Sequence, residues 1–139
     1  MRALCGAGML AFASLCLVGC TAGGTSKSTG HDVAVDLSAP EATVAAAPGD
    51  TITLRIVENR TTGYMWERRD PLPDGVAALT DTYVEDPQPA GEIMTGGGGT
   101  HVFTYRCDRA TSGALMYKLY APGDRINAVE ERRAALTCH

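Results

Sequence analysis

The chain has 139 residues, and its 12 Lys and Arg side chains against 16 Asp and Glu give a formal net charge of −4. This acidic balance, with no basic stripe to displace counterions from phosphates, argues against nucleic acid as a partner. Without its N-terminal segment the chain keeps about 110 ordered residues, the size of one domain with a single modest core.

The N-terminal segment begins with one positive charge, Arg2, followed by an apolar run at 3–19. This run is shorter than the roughly 20 residues that a membrane-spanning helix needs, so we predict a secretory signal peptide at residues 1–19. It ends in Leu17-Val18-Gly19-Cys20, which resembles the lipobox of bacterial lipoproteins. That resemblance implies that Cys20 is lipidated, for example with palmitate, and anchors the protein to a membrane in the extracytoplasmic cell envelope. A plain signal peptide with an incidental cysteine is the alternative.

The lipidated Cys20 and the small polar residues up to 30 are predicted to form a flexible tether to a domain at 31–139. Of the five cysteines, Cys5 and Cys16 would leave with the signal peptide and Cys20 would carry lipid. Cys107 and Cys138 then remain in an oxidising compartment, where a disulfide is expected. Two unpaired buried cysteines are the alternative.

From Asp32 onward, apolar residues recur with a period of two, and helical periodicity is hard to find. The pattern predicts strands near 33–37, 42–46, 51–58, 64–68, 79–84, 102–107, 115–120 and 129–138. The segment 128–136 contains good helix formers, but we predict it to be mainly strand. Seven to eight short strands, with turns every eight to twelve residues, indicate an all-β, immunoglobulin-like antiparallel β-sandwich.

Catalytic chemistry has little support in the sequence. The histidines, His31, His101 and His139, have no metal-ligand spacing and are expected to be surface or terminal residues. Three acidic residues are expected to form a solvated loop cluster: Asp81, Glu85 and Asp86. No nucleophile or phosphate-loop motif occurs in the sequence, so we expect no enzyme activity and no cofactor.

Three connections are candidates for a binding surface, because alternate loops of an immunoglobulin-like sandwich gather at one end. They are Asn59 to Gly63, Ile93 to Thr100, and Tyr120 to Arg125. Threonine side chains can exchange hydrogen bonds at low ordering cost, and glycines let another backbone approach closely. Tyr120 is a candidate aromatic anchor for a partner, whereas Tyr64 and Trp66, two positions apart, are expected to fix the first connection in the core. Taken singly, each connection is also compatible with an ordinary turn or linker.

The order of these motifs resembles the chagasin family of papain-type cysteine-protease inhibitors, over about Val33 to Cys138. The first motif, Asn-x-Thr-Thr-Gly-Tyr-x-Trp, is present at 59–66, with Arg60 where the family usually has proline. The second, a Gly-x-Gly-Gly loop before a Val-Phe-Thr-Tyr strand, is matched within the glycine run at 96–99. The third, Arg-Pro-Trp or a close variant, is matched only at Pro122, with Ala121 and Gly123 beside it.

The resemblance implies a monomeric inhibitor that acts as a three-part wedge, with a papain-like cysteine protease as its partner. The glycine loop would lie along the protease cleft, and the other two loops would brace either side. The residues implied to bind the protease are Asn59, Thr61, Thr62, Gly63, Tyr64, Gly96, Gly97, Gly98, Gly99, Tyr120 and Pro122. The alternative is a non-inhibitory binding module of the envelope surface that uses the same loops.

Overall fold

The structure is a computed structural model that describes residues 30–69, 71–91 and 96–139. The predicted signal peptide, Cys20 and all but the last residue of the predicted tether lie outside these residues, as does part of the second candidate loop, 92–95. Within the described ranges, no helix is long and apolar enough to cross a membrane.

Eight strands and one short 3-10 turn, Arg60–Thr62, make up the regular structure of the described residues. The strands are Asp32–Asp36 (β1), Glu41–Ala46 (β2), Thr51–Glu58 (β3), Met65–Arg68 (β4), Val76–Glu85 (β5), Gly99–Cys107 (β6), Thr111–Tyr120 (β7) and Ala128–Cys138 (β8). The all-β prediction is confirmed. The segment β8 contains good helix formers but is a strand, because Ala134, Leu136 and Cys138 alternate into the core. The turn predicted at 110–113 is shorter, since β7 already begins at Thr111.

The strands form two four-stranded sheets with the orders β1-β3-β6-β5 and β2-β8-β7-β4. The central pairs are antiparallel, for example with Ile52 opposite Tyr105 and Leu54 opposite Phe103. The edge strands β1 and β2 instead pair in parallel with β3 and β8. Between β1 and β2 the chain therefore crosses from one sheet to the other, and Leu37 is buried at this crossing. The period-two pattern does not distinguish the two strand directions.

The core lies between the sheets and is built from inward residues of both. At its centre, the hydroxyl oxygens of Tyr105 and Tyr117 lie 2.7 Å apart in a buried hydrogen bond. Burial is the main cause that raises the pKa of both phenols, so they stay neutral. This bond satisfies the two polar groups without any charge in the core.

A disulfide joins Cys107, the last residue of β6, to Cys138, the last residue of β8, with 6.2 Å between their Cα atoms. It ties the two sheets together at one end, which we call the disulfide end. The opposite end, the loop end, carries the connections 59–64, 86–98 and 121–127, which we call the first loop, the glycine loop and the third loop. The eight residues of β3 separate the two ends by roughly 25 Å.

Candidate functional site

The three loops lie side by side at the loop end. A methyl group placed on Gly63 of the first loop would be 2.7 Å from Cγ of Pro122 in the third loop. One placed on Gly96 of the glycine loop would be 3.8 Å from Oγ1 of Thr61. The first loop therefore lies between the other two, and the structure brings the three predicted loops into one surface.

The first loop is a 3-10 turn that Asn59 caps with its side chain. Its Oδ1 accepts hydrogen bonds from N of Thr61 at 3.2 Å and from Oγ1 of Thr61 at 2.6 Å. Oγ1 of Thr62 donates to the carbonyl oxygen of Asn59 at 2.6 Å. Gly63 ends the turn with a φ of 78°, which favours glycine. Because both hydroxyl protons are used within the loop, the exposed threonines offer acceptor lone pairs to a partner.

A buried carboxylate holds this turn from below. The side chain of Glu58, at the end of β3, is fully buried. It accepts hydrogen bonds from Nε of Arg60 at 2.6 Å, from N of Trp66 at 2.8 Å and from Nδ1 of His101 at 3.0 Å. A buried carboxylate needs such partners to offset its lost hydration. Glu58 thereby connects the first loop to β4 and β6.

His101 is buried, so the prediction of a surface histidine is wrong at this position. One ring nitrogen faces Glu58 and the other faces Asp81 of β5, and the ring stacks on Phe103 with 4.1 Å between centroids. Asp81 and Glu85 belong to β5, so their predicted place in a loop is wrong, although both are exposed to solvent as predicted.

Arg60 is the fourth member of a hydrogen-bonded cluster with Glu58, His101 and Asp81. Its guanidinium lies 4.2 Å from the ring centroid of Tyr83, in addition to its ion pair with Glu58. Arg60 thus places a cation beside the buried carboxylate of Glu58. Glu58 and His101 continue the inward period-two faces of β3 and β6, so the alternation in the sequence itself indicates that both are buried.

Two aromatic residues are placed differently from their predictions. Trp66 is buried as expected, but Tyr64 precedes β4 and its exposed fraction is 38%. The prediction that Tyr64 is a core anchor is therefore wrong, and its side chain is accessible to a partner. Tyr120 is only 4% exposed, and its hydroxyl accepts a hydrogen bond from Nε of Arg69 at 2.9 Å. Leu119 packs against the core, whereas Tyr120 is not part of the core cluster and is covered by Arg69, whose guanidinium lies 4.8 Å from the centroid of its ring. The prediction that Tyr120 is an exposed aromatic anchor is therefore wrong.

The glycine loop is packed tightly where it returns to β6. A methyl group on Gly97 would be 2.8 Å from Nε2 of Gln88, and one on Gly98 would be 3.2 Å from Oδ2 of Asp86. N of Asp86 donates to the carbonyl oxygen of Gly98 at 3.0 Å. Gly99 already belongs to β6. Larger residues at Gly97 and Gly98 would come into close contact only with the ends of flexible side chains. A methyl group on Gly99, in contrast, would lie 2.5 Å from the carbonyl oxygen of Val84, so glycine is required at this position.

The third loop is held by its own aspartate. Oδ1 of Asp124 accepts hydrogen bonds from N of Ile126 at 2.8 Å and N of Asn127 at 3.0 Å, and Oδ2 accepts from Nδ2 of Asn127 at 3.1 Å. These donors, N of Asn127 foremost, hold the pKa of Asp124 below its usual value. Arg69 donates to the carbonyl oxygen of Arg125 at 2.7 Å. The loop is thus ordered by its own hydrogen bonds around Ile126 and is joined to the rest of the protein through Arg125.

The sequence model of the family described as chagasin family peptidase inhibitor I42 matches residues 45–137. No curated protein matches the chain significantly in sequence.

Solved structures with a similar fold include the cysteine protease inhibitor EhICP2 from Entamoeba histolytica, at 17% identity and a TM-score of 0.66, covering 80% of this chain and 98% of that one. Amebosin matches at 20% identity and a TM-score of 0.53, covering 78% of this chain and 98% of that one. PbICP-C, solved in complex with falcipain-2, matches at 14% identity and a TM-score of 0.53, covering 77% of this chain and 99% of that one. At these identities the structures share the fold with this chain.

Proposed function

The chain belongs to the chagasin family of peptidase inhibitors, and from this membership we propose that it inhibits papain-like cysteine proteases. Members of the family are inhibitors and not enzymes. Two structures with the same fold support the target class, since EhICP2 is described as a cysteine protease inhibitor and PbICP-C was solved in complex with falcipain-2.

The observation that carries the proposal is the contact of all three loops at one end of the sandwich, with the first loop between the other two. In the proposed complex, the glycine loop enters the protease cleft and the first and third loops contact its two rims. The loops are held by hydrogen bonds of the free protein, so their ordering cost falls on folding and not on binding. An inhibitor complex of this kind buries roughly 1,600 Å² in total.

The loop residues take different roles in this proposal. Asn59 keeps the turn rigid, while Thr61 and Thr62 present acceptor oxygens and methyl groups. Tyr64 offers an exposed ring beside them. The glycines at 96–98 expose backbone to the cleft, and Pro122 supports the first loop through its contact with Gly63.

We also propose that the protein is a monomer anchored by lipid on Cys20 in the extracytoplasmic envelope. The first described residues lie at the disulfide end, where N of His31 donates to Oδ1 of Asp50 at 2.8 Å and N of Thr51 donates to the carbonyl oxygen of His31 at 2.9 Å. A tether that joins the domain at this end leaves the three loops directed away from the membrane.

The test is inhibition of papain by the soluble domain beginning near Thr25. We expect inhibition that weakens about fivefold or more in Thr62→Ala and in a variant lacking Gly97, with the melting temperature of Thr62→Ala nearly unchanged. Thr137→Ala, an exposed threonine near the disulfide end, is the matched control and should inhibit like the wild type. Absence of inhibition at micromolar protein removes the inhibitor hypothesis for this enzyme.

The buried position of Tyr120 favours a second candidate, a binding module of the envelope surface that does not inhibit proteases. It leaves the third loop without an exposed aromatic residue, and aromatic residues are common anchors of interfaces. A pull-down that recovers an envelope protein and no protease, together with an absence of inhibition, would favour this candidate over the first.

A further inference from the structure

Exposed apolar side chains are concentrated at the loop end. Among the described residues, six large apolar side chains are exposed: Val57, Tyr64, Leu79, Val84, Ile126 and Val129. Five of these lie in the loops or within two residues of the loop end of their strand, and only Leu79 lies further along β5. Exposed apolar surface that gathers in one region of a soluble domain is typical of an interaction site.

Ile126 is the extreme case, with 88% of its surface exposed. An isoleucine so exposed does not stabilise the isolated protein, because apolar surface in contact with water is unfavourable. Its backbone is nevertheless well fixed, since N of Ile126 donates to Asp124 and the neighbouring Asn127 donates to the same carboxylate. The loop therefore holds a β-branched apolar side chain in solvent on an ordered backbone.

The third loop is also joined to β4, the strand that follows the first loop. Arg125 pairs with Glu67 of β4 and contacts Sδ of Met65, the first residue of β4, and Arg69 donates to the carbonyl oxygen of Arg125 at 2.7 Å. The position of Ile126 is thus coupled to the strand that directly follows Tyr64 and the first loop. Ile126 extends the proposed binding surface beyond Pro122, onto the side of the sheet that contains β4 and β8.

We propose that Ile126 is an apolar anchor of the third loop that contacts an apolar depression on the rim of the protease cleft. This inference rests on the proposed function and deepens it, because it assigns a specificity-determining residue to the loop whose tyrosine is buried. A rigid, β-branched side chain loses little conformational freedom on binding, so its burial contributes directly to affinity. Proteases with a polar or charged rim at this position should be inhibited less well.

The experiment measures the inhibition constant of the full chain against papain for the wild type, Ile126→Ser, Ile126→Leu and Leu79→Ser. We expect Ile126→Ser to inhibit about tenfold more weakly, a loss typical of an anchor residue. Ile126→Leu should keep most of the affinity because it retains the apolar volume. Leu79→Ser is the matched control, since it removes an exposed apolar side chain away from the loops.

Thermal unfolding separates an effect on binding from one on folding, and the melting temperature of Ile126→Ser should equal that of the wild type because the side chain has no packing to lose. Inhibition by Ile126→Ser equal to that of the wild type would overturn the anchor while leaving the proposed function intact. A wild-type chain that does not inhibit papain would overturn both. Equal losses in Ile126→Ser and Leu79→Ser would also overturn the anchor, because the effect would then be unrelated to the third loop.

Discussion

The two ends of the sandwich are held together by different interactions, although the same strands connect them. At the disulfide end the connections are tied by a covalent bond and by backbone hydrogen bonds. There, Cys107 is bonded to Cys138, its N donates to the carbonyl oxygen of Asp50 at 3.0 Å, and its carbonyl oxygen accepts from N of Gly49 at 2.7 Å.

At the loop end no covalent bond joins the described parts of the sheets, and charged side chains take its place. Glu58 accepts hydrogen bonds from the first loop, β4 and β6. His101 in turn is hydrogen-bonded to Asp81 of β5. The stability that the disulfide end contributes is therefore separable from the geometry of the loops. At the loop end the buried contacts of Glu58 serve both, so their removal should affect folding and binding together, whereas a change of an exposed loop side chain such as Ile126 should affect binding alone.

Removal of the disulfide is the change with the largest expected effect. A double variant, Cys107→Ala with Cys138→Ala, should lower the free energy of unfolding by about 3 to 4 kcal/mol on the chain-entropy model, measured by urea denaturation. Inhibition by the folded fraction should stay unchanged, because the bond lies at the end opposite the loops. Reducing agent should destabilise the wild type alone. A folded variant with weakened inhibition would contradict the separation of the two ends.

Truncation of Glu58 comes next. Glu58→Ala should lower the free energy of unfolding by about 3 kcal/mol, because Arg60 loses its ion pair and N of Trp66 and Nδ1 of His101 lose their buried acceptor. Unlike the disulfide variant, it should also weaken inhibition, since the first loop loses its support. Glu41→Ala is the matched control, because its ion pair with Arg133 is exposed and should change stability by less than about 1 kcal/mol. Normal inhibition by a folded Glu58→Ala protein would refute the coupling of stability and loop geometry.

The strands and their inward faces could be predicted from the sequence because burial between two sheets imposes a period of two. That pattern predicted eight segments that match the observed strands, and it placed Phe103, Tyr105 and Cys107 on one face. The cysteine count predicted the disulfide, which is confirmed. The parallel edge strands were not predicted, because the period is the same in either direction.

The side chains at the loop end were harder to predict, for two physical reasons. Glu58 and His101 continue inward faces, but charged residues are rarely buried unless paired, and their pairing joins positions 43 apart in the chain. The burial of Tyr120 depends on its contact with Arg69, which lies 51 positions away in the chain, and the period-two pattern does not predict such a contact. Tyr64 failed as a core anchor because the first loop extends one residue further than the alternation suggested.

The smallest expected effect concerns two aspartates with the same task at opposite ends. Asp50 accepts hydrogen bonds from N of Ala47 and N of His31, each at 2.8 Å, and these bonds, N of Ala47 foremost, lower its pKa. The pKa of Asp124 is lowered in the same way by N of Asn127 and N of Ile126. Since both folded pKa values lie below the unfolded value of about 3.9, the stabilisation is present above that pH and is lost as the pH falls through the folded values.

Urea denaturation at a series of pH values from about 5 to 2 should show this loss in the wild type, and a shallower loss in both Asp50→Asn and Asp124→Asn. Inhibition distinguishes the two ends at a pH where papain is active. Asp50→Asn should inhibit normally, whereas Asp124→Asn should inhibit more weakly, because the side chain that orders the backbone of Ile126 is weakened as an acceptor. If Asp50→Asn weakened inhibition as much as Asp124→Asn, the disulfide end would be transmitting its geometry to the loops, and the division between the two ends would have to be given up.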